Sequence, residues 1–267
     1  MNKSRQIIIE KVAESVRNEC NITDYGFFNI FEAVEKIGYR VIRYPIGIDS
    51  FLGIAILKDS DRIVFSNSSQ ILSREIFSIA HEIGHHKLHI SVQEDTIVCY
   101  DDFSERDRKE AEANFFAACL LMPQDKVEKF IRYELNDRSA DIWNGLDIAR
   151  LQTSFSVSYD MALIRLKTLN ILNESEIEKL KIEKVENTAT KLLTAISGNS
   201  DLCKASDAKK VPAEYLEWVI SNYNDKLIPK KALEAALSYV DLNADDFENP
   251  TEEIEEDNFD DLFRGMD

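Results

Sequence analysis

Phe77-Ser78-Ile79-Ala80-His81-Glu82-Ile83-Gly84-His85-His86-Lys87-Leu88-His89 contains the pattern H-E-x-x-H at positions 81 to 85. On a helix, residues four apart lie on one face, so the imidazoles of His81 and His85 can converge on a single metal ion. Glu82 is turned about a quarter of a revolution away, where it can reach a water on the metal rather than the metal itself. Ile76, Phe77, Ile79, Ala80, Ile83 and Leu88 repeat at near-helical spacing, and Ser69 or Ser73 stands where a cap would start the helix. An amphipathic core helix with buried, hydrogen-bonded histidines would give the same spacing. The distribution of histidine favours the metal: the chain has four, all between positions 81 and 89. A glycine in mid-helix costs about 1 kcal/mol relative to alanine, so Gly84 points to close approach of another backbone.

Two imidazoles leave a catalytic zinc site one protein ligand short. His89 lies two turns from His81, about 12 Å along the axis at the helical rise, too far to share an ion with both. The third ligand is therefore expected to be a downstream carboxylate. Glu110-Ala111-Glu112-Ala113-Asn114-Phe115-Phe116-Ala117-Ala118-Cys119-Leu120-Leu121-Met122-Pro123 reads as a helix that Ser104 could cap and Pro123 ends. Glu112 shares a face with Phe115, Phe116 and Cys119, where a carboxylate is costly unless paired or bound to metal. Glu110 lies on the side of Asn114 and reads as solvated. Helix faces thus select His81, His85 and Glu112 as ligands.

The run from Ser73 to His85, the run from Glu110 to Ala118 and Leu120-Leu121-Met122-Pro123 together resemble the ImmA/IrrE metallopeptidases, and Phe155-Ser156-Val157-Ser158 through Arg165-Leu166 is similar to the segment that follows in that family. The resemblance covers about residues 5 to 172. It implies an intracellular zinc-dependent endopeptidase that cuts a helix-turn-helix repressor of a mobile element, prophage or stress response. It assigns metal binding to His81, His85 and Glu112, and the general base to Glu82. Zinc is the implied ion, with manganese the alternative.

The rest of the chain is consistent with a cytoplasmic protein. Cys20, Cys99, Cys119 and Cys203 are scattered with no C-x-x-C pair, as in a reducing compartment. No run is long and apolar enough for a signal peptide or membrane span. Net charge is −17, concentrated from Asp241 onward, where Arg264 is the only basic residue. Such a balance repels phosphate and argues against direct nucleic-acid binding.

The expected fold class is α+β. A zincin-like metallopeptidase domain over 1–135 opens with a helix at 4–20 that turns Ile7, Ile8, Val12 and Val16 inward. A second helix follows at Phe27 to Ile37, then strands at Tyr39 to Tyr44, Gly53 to Lys58 and Arg62 to Ser66 in a small antiparallel sheet. Residues Ile90 to Ser104 read as an acidic loop bordering the cleft. A helical subdomain and connector over 136–186 carries a helix-turn-helix-like pattern between Asp147 and Leu172. Arg138, Arg150, Arg165 and Lys167 there are nearly balanced by Asp141, Asp147 and Asp160, which is no electrostatic footprint for DNA. A small helical region spans 187–244, and the acidic tail, 245–267, contains Ile254, Phe259, Leu262 and Phe263 that could dock on a surface. The competing functional reading is a non-catalytic regulator that binds a partner repressor or DNA through the helical subdomain. The intact Glu82 argues against it.

Overall fold

The computed structural model describes residues 1–58, 60–90, 96–99 and 108–247. The chain divides into two compact units, Met1–Pro212 and Ala213–Asp267. In the first, helix α1 (Lys3–Glu19) is capped by the Asn2 side chain, which accepts from the Arg5 amide. It buries Ile9, Ala13 and Val16 and leaves Ile7 and Ile8 exposed, so its inner face is offset from the expected one. Its buried Arg17 donates to the carbonyls of Leu120, Asp24 and Tyr25 at 2.9–3.0 Å, which ties α1 to the end of a later helix. Helix α2 (Ile30–Glu35) is shorter than the apolar pattern suggests. It ends ahead of Gly38, whose φ of +88° reverses the chain into the sheet.

Strands β1 (Tyr39–Tyr44), β2 (Gly53–Lys58), β3 (Asp61–Asn67) and β4 (Thr96–Cys99) form one sheet in the order β1-β3-β2-β4. The sheet is mixed rather than antiparallel. β2 and β3 form the expected hairpin, but β1 lies on the far side of β3 and runs parallel to it, with Val41 opposite Val64. The segment between β1 and β2 has room to cross from one side of β3 to the other, a connection that alternation within each strand cannot reveal. β4 pairs antiparallel with β2, inside the stretch read as a loop. The remainder of that loop between 91 and 107, including Ser104, lies outside the described residues.

Helix α3 (Leu72–Leu88) packs on this sheet and α4 (Arg108–Leu121) packs on α3. Neither serine caps α3. Its N-cap residue is Ile71, and the Leu72 amide donates 2.7 Å to the Lys204 carbonyl, beside an Ile71–Ala205 bridge. A long-range strand segment thus satisfies the helix end that a local side chain was expected to satisfy.

Helix α5 (Gln124–Glu134) precedes the helical pair α6 (Gly145–Phe155) and α7 (Tyr159–Thr168), then α8 (Glu174–Asn187) and α9 (Ala189–Ala195). Asn144 and Asn173 head α6 and α8 in capping boxes. One continuous core runs from Ile9 and Val16 through Phe116, Phe130, Trp143, Phe155, Tyr159 and Leu180 to Leu202. The helical segment after residue 135 therefore shares its apolar interior with the sheet and α3. The second unit holds α10 (Ala213–Asn224) and α11 (Lys230–Ser238), with Leu233, Leu237 and Ala244 at its small core. Residues 248–267, most of the expected tail, lie outside the described residues. Among the described residues no helix is long and apolar enough to cross a membrane.

Candidate metal centre

α3 and α4 meet at Gly84. A Cβ at Gly84 would lie 3.0 Å from Phe116 Cδ1, 3.2 Å from Ala113 Cα and 3.3 Å from the Ala113 carbonyl oxygen. Close contact between the helices requires a residue without a side chain at that point, as the cost of a mid-helix glycine suggested. The crossing turns His81 and His85, both fully buried, toward the first turns of α4.

The carboxylate that meets them belongs to Glu110. Its Oε2 lies 3.1 Å from His81 Nε2 and its Oε1 3.2 Å from His85 Nε2, while the two Nε2 atoms are 2.9 Å apart. One ligand atom from each of His81, His85 and Glu110 falls within 4.8 Å of the others, so the cluster could hold a metal ion. Glu112, selected from helix faces, is not brought to the imidazole pair. It is buried as expected, but Arg5 of α1 pairs with it through Nη2 and, at 2.9 Å, through Nε. Arg108 Nε donates to its other oxygen at 2.9 Å, and His89 Nε2 lies 3.2 Å from Oε2. The premise that a buried carboxylate needs a partner holds; the partner is an arginine 107 positions away.

The donor chemistry fits a cation. Asn114 Oδ1 is 2.9 Å from His81 Nδ1, and an amide oxygen only accepts, so His81 is protonated at Nδ1 and turns an unprotonated Nε2 inward. Burial lowers the His81 pKa, outweighing the opposing effect of the adjoining Glu110 carboxylate, and so favours the neutral ring that metal ligation needs. Burial also pushes Glu110 upward, but the adjoining His81 and His85 rings together hold its carboxyl far below the usual carboxylate range. Lone pairs on nitrogen and carboxylate oxygen thus point at one another inside the protein, an arrangement that a shared cation stabilises.

Glu82 is fully buried on the same helix. It stands against Gly53 at the start of β2, where a Cβ would come within 2.7 Å of Glu82 Oε1 and 2.8 Å of Ser78 Oγ. His86, by contrast, faces the sheet: its Nε2 is 3.1 Å from the Ile63 carbonyl and its ring meets Tyr39 edge-on. Sequence reasoning missed Glu110, Asn114, Arg5 and Gly53. A signal for Glu110 existed. Gly84 demands a small residue opposite, and Glu110 shares a helical stripe with Ala113, Asn114 and Ala117, one position removed from that of Glu112.

A family model described as the IrrE N-terminal-like domain, peptidase M78, matches residues 34–167, half of the chain. No curated protein matches it. The match takes in the sheet, both helices of the metal cluster and the α6–α7 pair, and it ends before α8. With its H-E-x-x-H helix and metallopeptidase-like domain, the chain belongs to the ImmA/IrrE family.

Proposed function

We propose that the protein is a metal-dependent endopeptidase that hydrolyses a peptide bond in a helix-turn-helix transcriptional repressor. The observation that carries the reading is the convergence of His81 Nε2, His85 Nε2 and Glu110 on one point, with Glu82 buried on the same helix as the two imidazoles. His81, His85 and Glu110 hold the ion, for which zinc suits the two-nitrogen, one-carboxylate donor set and manganese is the alternative. When bound, the ion supplies Lewis acidity, lowering the pKa of a water and polarising the scissile carbonyl. Glu82 takes the proton from the attacking water on its carboxylate and returns it to the leaving amine nitrogen. Gly53 leaves the space in which that carboxylate sits. The choice of substrate rests on family membership.

Direct nucleic-acid binding through α6 and α7 has little support. Arg165 is buried and donates 2.9 Å to the Met122 carbonyl, while Lys167 pairs with Glu174, so the basic groups of α7 are engaged within the fold. The test is incubation of the zinc-loaded chain with a candidate repressor, followed by intact-mass analysis. Two fragments whose summed mass exceeds the substrate by one water are expected. Glu82→Gln should retain zinc and yield no fragments. Cleavage by that variant at the native rate would contradict the mechanism.

A further inference from the structure

On the reading that His81, His85 and Glu110 hold the ion, each imidazole must turn an unprotonated Nε2 toward it. For His81 the Asn114 oxygen sets that tautomer directly. His85 is held differently: its Nδ1 faces Nδ1 of His89 at 3.1 Å. Two imidazole nitrogens at that distance share one proton, and nothing in the pair itself says which ring carries it.

The other end of His89 supplies the answer. His89 Nε2 lies 3.2 Å from Glu112 Oε2, and a carboxylate only accepts. Arg5 and Arg108 both donate to this carboxylate, which keeps it an anion. The His89 and Glu112 side chains are only 5% and 4% exposed, so water competes little for these atoms. His89 must therefore carry its proton on Nε2 and offer a lone pair at Nδ1. His85 then donates from Nδ1, and its Nε2 is left unprotonated toward His81 and Glu110. The reverse arrangement would set a His89 lone pair against the carboxylate and direct a His85 N–H into the ligand cluster.

We propose that Glu112, acting through His89, fixes the tautomer and ring orientation of His85, and that Arg5 on α1 holds Glu112 for this task. Glu112 and His89 are positioning residues for the metal centre. Arg5 precedes the segment matched by the family model, so α1 takes part in building the site from outside it. Glu112 is not brought to the imidazole pair; its carboxylate is turned to Arg5, Arg108 and His89 instead.

Tautomers are read directly by long-range proton–nitrogen correlation on the zinc-loaded full chain labelled at histidine, where only four imidazoles contribute. His81 and His85 should be protonated at Nδ1 and His89 at Nε2. A spectrum with His89 protonated at Nδ1 overturns the proposal without need of any variant. Zinc affinity by chelator competition gives the second readout. His89→Leu should weaken binding by about 10–100-fold, the usual effect of losing such a support. His89→Asn, which keeps an oxygen acceptor near the Nδ1 position, should recover most of that loss. Equal affinity in His89→Leu and the unaltered chain, or equal losses in both variants, overturns the proposal while leaving the metal site intact. Failure of the unaltered chain to bind zinc would overturn the metal reading itself, and this assignment with it.

Discussion

Gly84→Ala tests how α3 and α4 build the site together. In an isolated helix the change would stabilise by about 1 kcal/mol, because alanine loses less backbone entropy than glycine. Here the new Cβ would lie 3.0 Å from Phe116 Cδ1 and 3.2 and 3.3 Å from the Ala113 Cα and carbonyl oxygen. Two of these three atoms are α4 backbone, so no rotamer change relieves them; α4 must move by a few tenths of an ångström. Ala113, Phe116 and Ile83 are all fully buried, which leaves little space for that movement. Overpacking in such a setting costs about 1–3 kcal/mol. The crowding exceeds the propensity gain, and the net is destabilisation by about 1 kcal/mol. For a unit of this size that lowers Tm by about 2–4 °C. Glu110 and Asn114 ride on α4, so zinc affinity should fall as well. Calorimetry on zinc-free and zinc-loaded protein, with chelator competition, measures both effects. A raised Tm with unchanged zinc affinity would refute the close crossing and its link to the site.

Gly53→Ala brings a Cβ to 2.7 Å from Glu82 Oε1 and 2.8 Å from Ser78 Oγ, both movable side-chain atoms. Zinc content should survive while cleavage falls by about 10²-fold, the scale of a ~1 Å misplacement of a catalytic group; an unchanged rate would count against Glu82 acting where it sits. Arg43→Met strips Glu75, fully shielded, of two 2.8 Å hydrogen bonds, leaving the hydroxyls of Ser66 and Ser206. Stability in denaturant should drop by about 3–5 kcal/mol, and a loss under about 1 kcal/mol would mean that the pair is not desolvated. Arg5, against the opposing effect of burial and with help from Arg108 and His89, holds the Glu112 carboxyl at about 2, below its ordinary 4.5. A depressed folded-state pKa stabilises above the ordinary value, and that contribution is lost as pH falls toward 2. Arg5→Met should therefore shrink the acid-induced fall in Tm across that window, and an identical profile would contradict the assignment.

The H-E-x-x-H helix was legible because its two periodicities agree: apolar residues repeat to bury one side, and His81 and His85 repeat to share another. Helices α6 and α8 also start at local signals, Asn144 and Asn173, whose side chains cap each first turn. What the sequence hid depends on partners far along the chain. The parallel pairing of β1 with β3 rests on a crossing segment, not on strand composition. The start of α3 is satisfied by the Lys204 carbonyl rather than by Ser69 or Ser73. Glu112 was correctly read as a buried carboxylate in need of compensation, yet neither helix spacing nor charge could tell an arginine on α1 from a metal ion. His89, set aside in the sequence as too far from His81 to share an ion, stands four positions from His85, and that spacing held a different message, a contact between rings. The choice between Glu110 and Glu112 turned on which stripe of α4 faces Gly84, a tertiary fact that the small residue Ala113 hints at.

The central claim is that Glu110 completes the metal site and Glu112 supports it, and zinc titration of two variants tests this most directly. The unaltered chain should bind about one zinc ion. Glu110→Gln should weaken binding by more than the roughly 10–100-fold expected of a supporting residue. Glu112→Gln should keep the stoichiometry, with a loss inside that range. Near-native affinity in Glu110→Gln together with loss of zinc in Glu112→Gln would contradict the assignment.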